Sequence, residues 1–483
     1  MKLKLNREKF FDKIYGCWIG KNIGGTMGTP FENMRTLNDI SGFNSPKGEP
    51  LPNDDLDLQL VWLKAIRDVG AKDLNANILA DYWMSQITPH WNEYGIGKTN
   101  LNMGLLPPMC GEFNNMWKDS NGAWIRSEIW ACLAPGVPNV AVKYAIMDAS
   151  IDHGLSEGTY GEMFTASLES MAFFEDDIRK LIEKALTFIP ENCRVARAVK
   201  LVLDSYDKKI PWQETRELIL EDSKDLGWFM APGNIAFTVL GLMYGEGDFK
   251  KSLIYAINCG DDTDCTGATA GSVLGIIKGA TGIPQDWREY IGDRIIPICI
   301  NASYKDRIPA TCTELTETVI ETLPEVMKVY GVEVEFTDGA SEVDSAEADE
   351  VLKGYAQEIF SRSPWSFEMP SITHTSAIVE YDKFPQVKPG DTFRVMVTLK
   401  NHRCDPHYYN VQVTLPEGWT AEYDRVIYAA HNTVEVSRFG TGTAKWEMNI
   451  TVGENVAPVN NIPLILSTVA HPVPVFIPIV LVG

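Results

Sequence analysis

No two of the nine cysteines form a Cys-x-x-Cys pair, and an odd number cannot all be paired within the chain. So few thiols, scattered over 483 residues, exclude a disulfide scaffold and argue against structural zinc; a reducing, cytoplasmic compartment is expected. No run of 18 apolar residues occurs, so no transmembrane helix is predicted. The opening MKLKLNREKFFDKIYGCWIG lacks the apolar core and cleavage site of a signal peptide. Basic residues are scarce, 43 Lys and Arg against 65 Asp and Glu, for a net charge of −22. Such a surface repels phosphate backbones and anionic lipid, which argues against nucleic-acid and membrane partners. Only His90 and His153 precede residue 340, too few for a histidine-built zinc site.

What is present is ordinary globular material, 45% hydrophobic and 22% charged, enough for two or three domains. Before residue 340, apolar residues recur at helical spacing in windows 58–66, 141–149, 161–174, 178–188, 195–206 and 235–244. An all-α orthogonal helical domain over residues 1–340 is predicted. The carboxylate-rich run 332–350 reads as a solvated linker leading into a short helix, and 341–364 is assigned to it. From about residue 375 the period becomes two. Candidate strands are 377–381, 392–400, 408–415, 420–424, 433–439, 444–452, 462–469 and 474–482, with turn signals at 389–390, 416–418 and 440–442. A smaller all-β immunoglobulin-like sandwich over 365–483 is the expectation. Its His402, His407 and His431 show no ligand spacing and are expected at exposed strand ends and turns.

Two acidic turns carry most of the chemistry. Asn53-Asp54-Asp55-Leu56-Asp57 precedes the first strongly amphipathic window, and taken alone it is a helix N-terminus with its cap and first-turn acids. Asn258-Cys259-Gly260-Asp261-Asp262-Thr263-Asp264-Cys265-Thr266 opens a second helix, rich in Gly and Ala. One cap needs one acid, not three. Asp262 and Asp264 flank Thr263, so an extended turn directs both carboxylates to one side. If the two turns face each other, four or more carboxylates must be protonated or neutralised by a cation. Oxygen ligands of this kind select Mg2+, Mn2+ or Ca2+ over zinc.

At these residues the chain resembles the ADP-ribosylglycohydrolase family, over most of its first ~300 residues. Gly16-Cys-Trp-Ile-Gly20-Lys-Asn-Ile-Gly24-Gly-Thr-Met-Gly28-Thr-Pro-Phe-Glu32 is similar to that family's glycine-spaced first helix ending in Pro-Phe-Glu. Asn53-Asp54-Asp55 stands at its Thr-Asp-Asp position and Gly260-Asp261-Asp262-Thr263-Asp264 at its Gly-Gly-Asp-Thr-Asp motif. Gly122-Ala-Trp-Ile-Arg126 resembles its Gly-x-x-x-Arg segment and Ser150-Ile-Asp-His153 its Ser-x-x-His segment. The resemblance implies an all-helical hydrolase that holds a Mg2+ pair between the two acidic turns and cleaves N- or O-glycosidic bonds to ADP-ribose. It implies metal binding by Asp54, Asp55, Asp262 and Asp264, with the Asn53 carbonyl as a further donor. Glu32 would lie on the substrate side, and Glu32 or Asp55 would handle the proton or water.

The chain also departs from that pattern: Asn53 and Leu56 replace Thr, Cys265 replaces a Thr or Ser, and Gly25 replaces an Asp. One or two ions are expected, Mg2+ first, with Ca2+ or Mn2+ as alternatives. Cations for a pyrophosphate are few (Lys21, Arg35, Lys98 and Arg126), beside Glu112, Glu128, Glu157 and Glu162. Trp18, Trp91, Trp117, Trp124, Trp130 and Trp228 are core candidates individually, with Trp91 the least so. Trp91, Asn115, Arg126, Glu128 and His153 are the candidate substrate contacts. The chain is therefore read as a metal-dependent glycosidase-class hydrolase acting on a small ADP-ribose-type or sugar substrate. The alternatives are a glycosidase or nucleosidase acting on a sugar without pyrophosphate, or an inactive sugar or ADP-ribose binder. Homo-oligomerisation is left open.

Overall fold

The computed structural model describes all residues except 46–47, 373–374, 404, 431–441 and 470. The expected strand 433–439, His431 and most of the turn 440–442 lie outside the described residues. The chain divides into two compact units: Met1–Ile96 with Asn115–Ile359, and Gly97–Asn114 with Phe360–Gly483. The first is helix-rich and the second is built of antiparallel sheet.

Each apolar window of the first unit lies in a helix, including Asp54–Val69, Pro138–Ala149, Glu157–Ala172, Arg194–Asp207 and Ala231–Gly245. The helices Arg7–Gly28 and Thr263–Lys278 form the closest pair, running antiparallel. Glycine recurs every fourth residue on each: 16, 20, 24 and 28 on one, 267, 271 and 275 on the other. That spacing is one helical edge, so the two backbones touch. A Cβ added at Gly20 would lie 2.1 Å from the Gly271 carbonyl oxygen, and one at Gly24 1.9 Å from that of Gly267. Thr263 Oγ1 closes the seam by donating to the Gly28 carbonyl at 2.8 Å. The contact brings the end of the first helix, and Glu32 beyond it, against the acidic start of the second.

A segment of the expected linker is instead a strand. β1 (Lys2–Asn6) and β2 (Glu333–Thr337) form a parallel pair in register Leu3↔Val334 and Leu5↔Phe336. Leu3 and Leu5 are buried, so the short strand is held by an apolar face supplied from the far end of the unit. Short helices follow at Ser345–Glu350 and Tyr355–Phe360.

The second unit contains β3 (Ser366–Ile372), β4 (Thr375–Tyr381), β5 (Thr392–Asn401), β6 (His407–Val413), β7 (Thr420–Tyr423), β8 (Val426–Ala429), β9 (Thr443–Thr451), β10 (Val459–Ser467) and β11 (Val475–Val482). They order as β11-β10-β6-β8 and β3-β4-β5-β9-β7. Inward residues of both sheets share one apolar core, which also takes Leu105, Met109, Cys110 and Phe113. β3 and β8 are additional to the sequence expectation: β8 has only four residues, and β3 carries Pro370, which breaks a strand pattern. His407, expected on an exposed strand end, is buried because 407, 409 and 411 are the inward positions of β6. Among the described residues no helix is long and apolar enough to cross a membrane.

Candidate functional site

Asn53 caps the Asp54–Val69 helix: its Oδ1 accepts from Asp55 N at 2.7 Å, and its Nδ2 donates to Asp264 Oδ2 at 3.3 Å. A Cβ at residue 25 would lie 2.7 Å from that same Nδ2, so the Gly25 and Asn53 departures fit one another sterically. The second turn uses two left-handed residues, Gly260 (φ 83°) and Asp261 (φ 61°). For Asp261 that conformation is strained. Paired backbone bonds hold it, Asn33 N to Asp261 O at 2.9 Å and Asp261 N to Met34 O at 3.1 Å, with Arg35 Nε 3.5 Å from its carboxylate. Asp262 follows, its N–H donating to Asn234 Oδ1 at 3.1 Å. Asn121 Nδ2 donates to Asp262 Oδ2 at 2.6 Å, and Trp124 Nε1 fixes the Asn121 carbonyl at 2.9 Å.

The two turns meet. One ligand atom each from Glu32, Asp262 and Asp264, and likewise from Asp55, Asp264 and Cys265, lie within 4.8 Å of one another; Asp264 belongs to both triads. Asp55 Oδ2, Asp262 Oδ1 and Asp264 Oδ1 are buried without a hydrogen-bond partner. Lys21 Nζ stands 4.0 Å from Asp55 Oδ2. Buried, unpartnered carboxylate oxygens of like charge are what a divalent cation satisfies, so the residues present fit one. Asp54 stands beside the triads; its Oδ2 accepts from Tyr94 OH at 3.0 Å, and the Tyr94 ring stacks on Trp91 at 6.3 Å. Trp91 is 49% exposed, whereas Trp18, Trp124 and Trp130 are fully buried.

Crowding shows in the acid strengths. Burial, then Asp264 and Asp54, raise Glu32 to about 7; burial and Asp264 raise Asp54 to about 6. Burial and Asp264 push Asp262 well above the usual carboxylate range. Groups raised on folding hold protons more tightly folded than unfolded. Their contribution to stability is complete below the ordinary values of 4.5 and 3.8 and is lost as pH rises through about 6 and 7. The melting temperature in chelator is therefore expected to fall between about pH 4 and 7, and the slope to flatten when Mg2+ is added.

Four predicted contacts are buried rather than on the surface of the site. Glu128 is fully buried and accepts from Lys21 Nζ at 2.7 Å, Gln59 Nε2 at 2.8 Å and Ser272 Oγ at 2.9 Å. Arg126, also fully buried, donates to Asp148 at 2.8 Å, to Asp152 at 2.8 Å and to the Gly122 carbonyl at 2.7 Å, and lies over the Trp83 ring. His153 is bracketed by Asp152 at 2.8 Å and Ser120 at 3.2 Å. Asn115 Nδ2 donates to the Asp152 carbonyl at 2.6 Å. Arg126→Met would leave two buried carboxylates without their cation. A loss of about 3–5 kcal/mol is expected in urea melts, only partly recovered by Arg126→Lys, which lacks the forked donors.

Asp57, adjacent in sequence to the ligand acids, instead accepts from Ile298 N at 2.5 Å and Cys299 N at 2.6 Å, tying down that loop. Tyr94, Asn121 and Asn234 are site residues that the sequence reading misses. Tyr94 lies three residues after Trp91 and Asn121 one before the Gly122 segment, which are weak pointers; Asn234 has none.

The first unit is thus a helix-rich domain with a buried acidic cluster at two helix starts. The chain belongs to the ADP-ribosylglycohydrolase family, whose sequence profile matches residues 6–322. It is 22% identical over 301 residues to the ADP-ribosylarginine hydrolase Tri1 of Pseudomonas putida (strain GB-1), covering 59% of this chain and 76% of that protein. It is 20% identical over 331 residues to the ADP-ribosylhydrolase ARH3 of Gallus gallus, covering 57% of this chain and 88% of that protein. A crystal structure of a FixG-related protein from Vibrio parahaemolyticus aligns to 23% of this chain and 98% of its own, with a TM-score of 0.19 and 10% identity.

Proposed function

We propose that the helical unit hydrolyses a glycosidic bond to ADP-ribose, at a centre where Asp55, Asp262, Asp264 and Glu32 hold one or two divalent cations, Mg2+ first. The observation that carries this reading is the pair of triads sharing Asp264, with buried carboxylate oxygens left unpartnered. A bound cation would supply Lewis acidity and a fixed place for ribose hydroxyls or water. Glu32, exposed at the edge of the cluster, would orient the attacking water from the open side of the centre. Asp55 serves as a ligand more readily than as a base, because Lys21 faces it. Asn53 orients Asp264 while spending its own carbonyl on the helix cap, and Asn121 orients Asp262. Asp54 and Tyr94 form a polar edge beside Trp91, whose open face suits stacking on a sugar or base. Arg126, Glu128 and His153 act as positioning groups, and Asn115 steadies the Asp152 turn. Turnover of an ADP-ribosylated peptide by the wild type and its loss in Asp262→Asn, with helicity retained, tests the reading; unchanged turnover in that variant defeats it.

One observation favours a sugar without pyrophosphate. Lys21, Arg35 and Arg126 are each engaged by protein carboxylates: Glu128, Asp261, and Asp148 with Asp152. Isothermal titration with ADP-ribose against ribose and a free ribonucleoside separates the two substrates. Comparable affinity for all three supports the second reading.

A further inference from the structure

Cys265 lies inside the acid cluster, and the hydrolysis proposed above makes no use of its sulfur. Its Sγ is 3.5 Å from Asp55 Oδ1. A tetrahedral ion with sulfur at about 2.3 Å and carboxylate oxygen at about 2.1 Å holds those two atoms about 3.6 Å apart. Asp264 supplies the third atom of the triad. All three side chains are more than nine-tenths buried, and Asp264 Oδ1 and Asp55 Oδ2 have no hydrogen-bond partner. The neighbouring triad, Glu32, Asp262 and Asp264, offers carboxylate oxygen only. Sulfur adds strength toward Zn2+ and Co2+ and little toward Mg2+ or Ca2+, so the two positions differ in the ion they select.

Resting on the metal-centre reading, we infer that the Asp55–Asp264–Cys265 position takes a borderline transition-metal ion such as Zn2+ or Co2+, while the carboxylate-only position takes a hard cation. Asp264 belongs to both triads and would serve both positions. When the metal–sulfur bond forms, the thiol proton passes to the buffer.

The test uses the full-length protein stripped of metal and titrated with Co2+ and, separately, with Mg2+. Co2+ is expected to give a sulfur-to-cobalt charge-transfer band in the near ultraviolet. Cys265→Ser removes that band and weakens Co2+ binding about tenfold or more, while Mg2+ affinity changes less than about threefold. X-ray absorption of the zinc-loaded wild type reads the same point without a variant: a zinc–sulfur distance near about 2.3 Å supports the inference. Co2+ bound without the band, a band that persists in Cys265→Ser, or zinc surrounded by oxygen and nitrogen alone overturns it and leaves the hard-cation centre standing. If neither Co2+ nor Mg2+ binds, both readings fall together.

Discussion

Asp264→Asn is expected to abolish the thermal shift produced by Mg2+ and to cut turnover by about a thousandfold, without lowering the melting temperature of the metal-free protein. Asp264 is the residue both triads share, so one substitution removes a ligand from each position. In the absence of a cation the same change relieves repulsion: Asp264 helps push up the proton affinities of Glu32, Asp54, Asp55 and Asp262. Asn53 can still donate to the new amide oxygen. A cation at about 100 times its Kd stabilises the wild type by about 2.7 kcal/mol, and that gain should vanish in the variant. Asp57→Asn supplies the contrasting signature. It weakens the clasp on Ile298 and Cys299, so it should lose about 1–3 kcal/mol yet retain the Mg2+ shift. Differential scanning fluorimetry with and without Mg2+ reads both variants. A Mg2+ shift surviving in Asp264→Asn would place the ion elsewhere.

The other large effect concerns the glycine seam. In an ordinary helix interior Gly→Ala gains up to about 1 kcal/mol, because alanine loses less backbone freedom on folding. At Gly24 the sign should reverse. The new methyl would stand 1.9 Å from the Gly267 carbonyl oxygen and 2.1 Å from its carbon, backbone atoms that cannot swing aside. Overpacking of this kind costs about 1–3 kcal/mol or more, and here it must push the paired helices away from each other. Those helices bring Glu32 to Asp262 and Asp264, so Gly24→Ala should weaken Mg2+ binding even at temperatures where the protein stays folded. Gly42→Ala, with nothing within 4 Å of the added carbon, is the control and should leave both properties unchanged. Circular dichroism melts paired with Mg2+ titration test this. A stabilised Gly24→Ala would mean that the helices do not pack in this way.

Local periodicity is enough to read most elements here. The apolar stripes in 58–66 or 195–206 mark helices because a 3.6-residue repeat faces one core wherever that core lies. The alternation in 392–400 marks a strand for the corresponding reason. The two acidic turns are also legible, since three acids at one helix start exceed what capping needs. Resemblance over five short motifs supplies the fold family, which composition alone does not contain.

What the amino-acid sequence determined by itself, then, is the helical or extended character of each half and of the strongly patterned windows, and the chemical character of the two turns, because these are set by residues within a few positions of one another. Only the tertiary structure decided which acids share a space and which are spent elsewhere. Asp57 turns to the 298–299 backbone, Arg126 and Glu128 are sealed behind the site, and Asn121 and Tyr94 reach Asp262 and Asp54, 141 and 40 residues away. It also decided that 333–337 is a strand, whose partner lies at the other end of the unit. Such outcomes depend on how closely two helix backbones approach and on which buried charge finds a partner, quantities that exist only once distant segments have packed together.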